Sequence, residues 1–152
     1  MKKLFLIIIL LSLQIFPSFG NPNGKGVICK CVAYKDGKGC PYMYPIRGFF
    51  FSNNKVIGSG FNRDRDTYKI FYSKKVNYYT SAKLINWYSE VDDAYLSHTL
   101  NRKTLELKST NEVYSFKSKC ELFNKLNYDN KIQNIKNSLQ SEYDMKRKDN
   151  KI

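Results

Sequence analysis

From position 27 onward, apolar and polar residues alternate in short stretches that recur about every ten positions. Gly, Pro, Asn and charged residues separate them. Alternation with period two, rich in β-branched and aromatic residues and cut by turn formers, predicts strands. The stretches cover 27–34, 47–52, 55–61, 67–73, 76–80, 84–89, 94–100, 104–108 and 112–120. Tyr68, Ile70 and Tyr72 share a face, as do Ile85 and Trp87, and Tyr114, Phe116, Ser118 and Cys120. Asn53-Asn54 sits between two apolar runs and tolerates the positive φ of a tight hairpin turn. A second hairpin is expected around Asn101-Arg102-Lys103, and residues 62–66 read as a charged turn. Residues 35–46, with Gly37, Gly39, Pro41 and Pro45, read as a loop.

The period changes at both ends of the chain. From Asp129, Ile132, Ile135, Leu139 and Tyr143 recur at helical spacing. Asn127 or Asp129 can cap the start, and Lys146, Arg147 and Lys148 suit the negative end of the helix dipole. A narrow apolar stripe stabilises a lone helix poorly, so docking on the sheet is expected, and projection toward a partner is the alternative. The fold class expected is mainly β (α+β): a small antiparallel barrel or sandwich of about eight strands with one C-terminal amphipathic helix.

At the N-terminus, Lys2-Lys3 precedes an apolar run from Leu4 to Leu13, then Pro17 and Ser18-Phe19-Gly20. That is the pattern of a signal peptide cut near Gly20–Asn21. The run is about ten residues, and a bilayer span takes ~20. No Cys stands at the new N-terminus to carry a lipid, and no second long apolar run follows. The expected organisation is a cleaved signal over 1–20, a β domain over 21–120, a helix over 121–148 and a frayed tail over 149–152. The expected location is outside the cytoplasm, periplasmic or secreted, with no membrane span after cleavage.

Export decides how the four cysteines are read. Cys29, Cys31, Cys40 and Cys120 form an even set in an oxidising compartment, which implies two disulfides. Cys29 and Cys31 lie two apart on a strand, so their Cβ atoms are ~6–7 Å apart where a disulfide needs ~3.8 Å. Each must then join Cys40 or Cys120, and Cys31–Cys40 with Cys29–Cys120 is preferred. A metal site completed by His98 or Met43 is the alternative, but the spacing fits zinc poorly. No metal and no cofactor is expected.

The formal net charge is +13, and loss of Lys2 and Lys3 would leave 24 bases against 13 acids. Residues 21–75 hold 11 bases and 3 acids. Such an excess favours an anionic partner. A plainer reading exists: Lys scattered singly among β residues is what a solvated sheet face looks like. Aromatic residues stand among Arg47, Arg63, Arg65, Lys69, Lys74 and Lys75, which makes this segment the candidate binding face. The partners considered are an anionic envelope polymer, a lipid surface or a protein, and export argues against nucleic acid.

Catalytic signals are sparse. His98, the one histidine, shares a face with Leu96 and Leu100 and reads as a hydrogen-bonded structural residue. A small hydrolase using His98 is the enzymatic alternative. Asp64 with Asp66, and Asp92 with Asp93, read as turn residues. The chain carries no phosphate-binding loop, nucleophile elbow, H-E-x-x-H helix or EF-hand loop. A non-enzymatic binding role is therefore the leading expectation.

Two resemblances add to this reading. Ile85-Asn86-Trp87, then Tyr95 to Leu107 with Asn101-Arg102-Lys103-Thr104, then Cys120, resemble a pattern in small uncharacterised exported bacterial proteins. In those an isoleucine–tryptophan strand precedes a hairpin and a closing Cys. The pattern spans about 36 residues and implies a hairpin and a structural cysteine, but no activity. Leu105 stands where the commoner form has Gly. The layout is also similar to periplasmic inhibitors of c-type lysozyme, which implies an inhibitor as a further alternative. The serine-glycine loop of that family is not present, and Tyr79 to Lys83 does not match it.

Overall fold

Among the described residues nine strands and one helix follow one another: β1 Lys25–Tyr34, β2 Ile46–Ser52, β3 Lys55–Asp64, β4 Thr67–Tyr72, β5 Val76–Thr80, β6 Leu84–Val91, β7 Ala94–Asn101, β8 Glu106–Thr110, β9 Ser115–Asn124 and α1 Lys125–Asp149. They come from a computed structural model that describes residues 20–35, 40, 45–91, 94–113 and 115–149. Residues 1–19 of the proposed signal, the loop residues Gly37, Gly39 and Pro41, Met43, the Asp92-Asp93 pair, Tyr114 and residues 150–152 lie outside the described residues.

All described pairings are antiparallel, in the order β2-β1-β9-β8-β7-β6-β5-β3, and β3 pairs back with β2. Eight strands thus close into a barrel, the stricter of the two expected forms, and β4 lies outside it on the edge of β3. The handover on that edge is local. β3 pairs with β5 at Lys55 and Val56 and with β4 from Ser59 to Asp64. Between them Ser73 bonds both polar groups of Gly58: its N–H donates to the carbonyl at 2.9 Å, and its Oγ accepts the Gly58 N–H at 2.8 Å.

The turns follow their residues. Asn53 and Asn54 take φ of 50° and 58°, which closes the β2–β3 hairpin with the twist the strands need. Leu105, with φ of 54°, holds a left-handed conformation that Gly would adopt freely.

Alternation sends every second side chain into the barrel. Val27, Cys29, Phe49, Phe51, Val56, Ile85, Trp87, Leu100, Leu107 and Cys120 form the interior core. Cys29 and Cys120 are directly opposite on β1 and β9 and are bridged, and Cys31 is bridged to Cys40. The preferred pairing is the one found, and it leaves no thiolate for a metal.

A second, smaller core lies outside the barrel wall. Tyr128 and Ile132 of α1 bury against Ile28, with Phe50, Phe61, Ile70 and Ile135 around them. Gly26 and Gly48 make room for this: a Cβ on Gly26 would stand 2.3 Å from the Tyr128 ring. The Tyr128 hydroxyl reaches Ser59 Oγ at 2.8 Å, and burial holds its pKa above the ordinary tyrosine value. The helix is docked.

Several boundaries differ from the sequence reading. The helix begins at Lys125, not Asp129, because β9 runs on to Asn124 and enters the helix without a loop. Asn124 is the cap, accepting the Asn127 N–H at 2.9 Å. Ile46 belongs to β2, β3 extends through Asp64, and β8 starts at Glu106 because Leu105 takes its left-handed turn first. The face of Tyr68, Ile70 and Tyr72 turns toward the helix side, not into the barrel.

Candidate functional site in the barrel mouth

The register places one row of inward side chains across five strands: Tyr78, Trp87, His98, Ser109 and Phe116. Beyond it, away from the apolar end of the barrel, the inward residues turn polar. Ser89 follows Trp87 on β6, and Arg47 precedes Phe49 on β2. The strand period that sends Phe49 and Phe51 inward sends Arg47 inward with them.

A cavity of about 320 Å³ opens here. Phe49, Val56, Phe71, Val76 and Trp87 make its apolar walls, and Arg47, Ser73, Ser89 and Glu90 its polar lining. The opening has a structural cause. β5 pairs with β6 only up to Tyr78 opposite Trp87, and β4 pairs with β3 alone. The outer half of β6 therefore faces a split in the wall. An exposed ion pair crosses it, with Lys74 Nζ 3.4 Å from a Glu90 carboxylate oxygen. Arg47 also lines a space of about 20 Å³ with Cys31, Ser109 and Ser118. Its Nε is buried.

His98 is fully buried behind two lining residues, Trp87 and Ser89. Its Nε2 lies 2.7 Å from Ser89 Oγ and its Nδ1 2.8 Å from Ser109 Oγ. A neutral imidazole has one donor and one acceptor, which two hydroxyls satisfy. Burial, and after it the charge of Arg47, pulls its pKa down to about 3. Ser89, His98 and Ser109 superficially have the sequence of contacts of a nucleophile, base and orienter. The electrostatics oppose that use. A general base must hold a proton at the transition state, and this one would do so beside a guanidinium, while its partners among the described residues are hydroxyls and not a carboxylate.

The six basic residues of the candidate face do not share a surface. Arg47 points into the barrel. Arg63 lies over the Tyr143 ring of α1, 4.6 Å from its centroid. Arg65 takes a positive φ in the β3–β4 turn. Lys69 pairs with Asp64 at 2.5 Å, and Lys74 with Glu90. Lys75 is exposed between β4 and β5. Of the six only Arg47 lines the cavity, and Lys74 reaches its rim through the ion pair with Glu90.

The acidic pair Asp64 and Asp66 is likewise divided. Asp66 accepts from the Tyr143 hydroxyl at 2.9 Å and pairs with Arg147 at 2.7 Å. The Tyr143 hydrogen bond, with help from Arg147, holds its carboxyl below the usual range. Among the described residues no cluster of three or more His, Cys, Asp or Glu suits a metal ion. Sequence reading missed Ser89, Ser109 and the cavity role of Trp87. The signal available for Ser89 was its place two residues after Trp87.

No family model, curated protein or solved structure matches this chain.

Proposed function

We propose that this chain is an exported, non-enzymatic binding protein that takes the anionic end of a small amphiphilic ligand into the barrel mouth beside Arg47. The observation that carries this reading is the position of Arg47: a guanidinium lining a cavity with aromatic and aliphatic walls. Small-ligand sites pair apolar walls with a few placed polar groups, and about 320 Å³ is at the small end of their size range. A guanidinium offers a planar fork to a carboxylate, sulfonate or phosphate. Partial burial strengthens that contact over one in open water.

The two disulfides are compatible with a periplasmic or extracellular location. The positive net charge favours the approach of an anion. Glu90 at the mouth opposes an anion, and Lys74 offsets it. His98 stays neutral and supports the floor, which leaves the positive charge to Arg47.

Trp87 is the single tryptophan of the chain and lines the cavity, so its emission reports binding there. Titration with a medium-chain fatty acid anion is expected to change that emission saturably. Arg47→Met is expected to weaken binding at least tenfold while keeping the near-ultraviolet dichroism of the folded barrel. Equal affinity in the variant overturns the proposal.

A further inference from the structure

The outer face of β5 to β9 carries a second pattern, independent of the cavity. Here the register aligns Lys117, Lys108, Thr99, Asn86 and Tyr79 in one row across five adjacent strands. At ~4.8 Å per strand the row is about 19 Å long. Its neighbouring row runs Ser115, Thr110, Ser97 and Tyr88. Each row has its tyrosine at one end and polar side chains in the middle; the first row ends in Lys108 and Lys117, the second in Ser115.

Both ends are unusual for a solvated surface. Tyr79, Tyr88 and Tyr95 stand on three successive strands with exposures of 66%, 58% and 72%. Single exposed apolar residues need no explanation, but three neighbours across a sheet do. At the opposite end Lys108 faces Lys117 directly, and Lys119 faces Lys30 of β1. Like charges directly opposite on a sheet are destabilising. Glu106, 3.5 Å from Lys119, is the one carboxylate in ion-pair range of these four among the described residues. The chain's abundance of lysine accounts for their number but not for their pairing.

We propose that this strip docks an acidic polysaccharide. Sugar rings present C–H faces that stack on exposed tyrosines, and their hydroxyls match Thr99, Asn86, Ser97 and Thr110. The lysine pairs supply charge complementarity to uronate or sulfate groups. The same features argue against other polyanions. A nucleic-acid strand carries a charge on every residue and is tracked by cations along its whole path. Here the middle of the strip has none. A membrane surface is bound by an apolar face that inserts beneath basic residues. Here the middle is polar.

The test is affinity measurement against polygalacturonate, alginate and dextran sulfate, with neutral dextran, a thymidine oligonucleotide and anionic phospholipid vesicles alongside. At least one acidic polysaccharide is expected to bind, and neutral dextran is not. Tyr79→Ser with Tyr88→Ser is expected to weaken it at least tenfold. Lys108→Gln with Lys117→Gln is expected to weaken it and flatten its salt dependence. Arg47→Met is expected to leave it unchanged, since Arg47 faces the lumen. The tyrosine and lysine positions are on the outer face, and an unchanged melting temperature confirms folding of every variant. Binding to none of the acidic polysaccharides overturns the proposal. So do tighter binding to the oligonucleotide or vesicles, indifference to the tyrosine changes, and loss on Arg47→Met.

Discussion

The indole of Trp87 lies nearly flat on the imidazole of His98, with ring centroids 4.9 Å apart and planes 16° from parallel. They are direct register partners on β6 and β7, so the barrel wall itself holds them together. Phe49 closes on both, at 5.0 Å from Trp87 and 5.3 Å from His98. Trp87 lines the candidate site with His98 stacked behind it, which puts a fluorescent ring at the point where a ligand would end.

His98 makes the barrel sensitive to acid. Its pKa is about 3 in the folded chain and near 6.5 when unfolded. Between those values the unfolded chain binds the extra proton, so stability falls as pH drops through 6.5 and keeps falling toward 3. Above 6.5 this group contributes no pH dependence. His98→Gln removes it, and the melting temperature of the wild type is expected to fall more steeply than that of the variant between pH 7 and 4. Parallel profiles would show that His98 does not carry the effect.

The two disulfides are expected to differ in worth. Cys29–Cys120 closes a separation of 91 residues, and Cys31–Cys40 one of 9. By the chain-entropy account the long bridge contributes about 2 kcal/mol more than the short one. Urea unfolding of Cys29→Ala/Cys120→Ala and Cys31→Ala/Cys40→Ala checks the order. A larger loss from the short bridge would place the stabilisation elsewhere.

Helix docking depends on glycine more than on the helix. Gly26→Ala sets a Cβ against the Tyr128 ring, and Gly48→Ala sets one 2.4 Å from the Ser59 and Tyr128 oxygens. Both are expected to loosen α1 while the barrel persists. Tyr128→Ala is expected to cost about 3 to 5 kcal/mol, the range for large buried aromatic side chains. Hydrogen exchange over 125–149 reads the first effect: faster exchange there with the barrel strands still protected. Protection unchanged in Gly26→Ala would contradict the packing account.

Much of this frame was legible in the residues. Asn53-Asn54 announced its turn, period two announced the strands, and Cys29-Cys31 excluded their own pairing by geometry. Tertiary context hid the rest. Tyr68, Ile70 and Tyr72 share a face by period two, and nothing local says that this face meets a helix. Tyr128 sits four residues before Ile132 and anchors that helix, but β9 leading straight into it concealed the start. Arg47 shares the strand face of Phe49, so its inward direction was implied. The usual preference of arginine for water argued the other way. The split beside β6 depends on Ser73 redirecting one edge, which no sequence period encodes.

Charge at the mouth should tune affinity without creating it. Glu90→Gln removes a carboxylate from the cavity lining and is expected to strengthen binding of a fatty acid anion severalfold. Lys74→Gln is expected to weaken it by a similar factor, and both effects should shrink at high salt because the pair is exposed. Identical titrations of the three proteins at low salt would remove these groups from the account.

In the proposed function the cavity reads a negative head beside Arg47. This is tested most directly by titrating the Trp87 emission with decanoate and with decanol, which share a tail and differ in charge. Decanoate is expected to bind at least tenfold more tightly than decanol, with the difference abolished in Arg47→Met. Equal affinities for the two, or no change in emission with either, would contradict it.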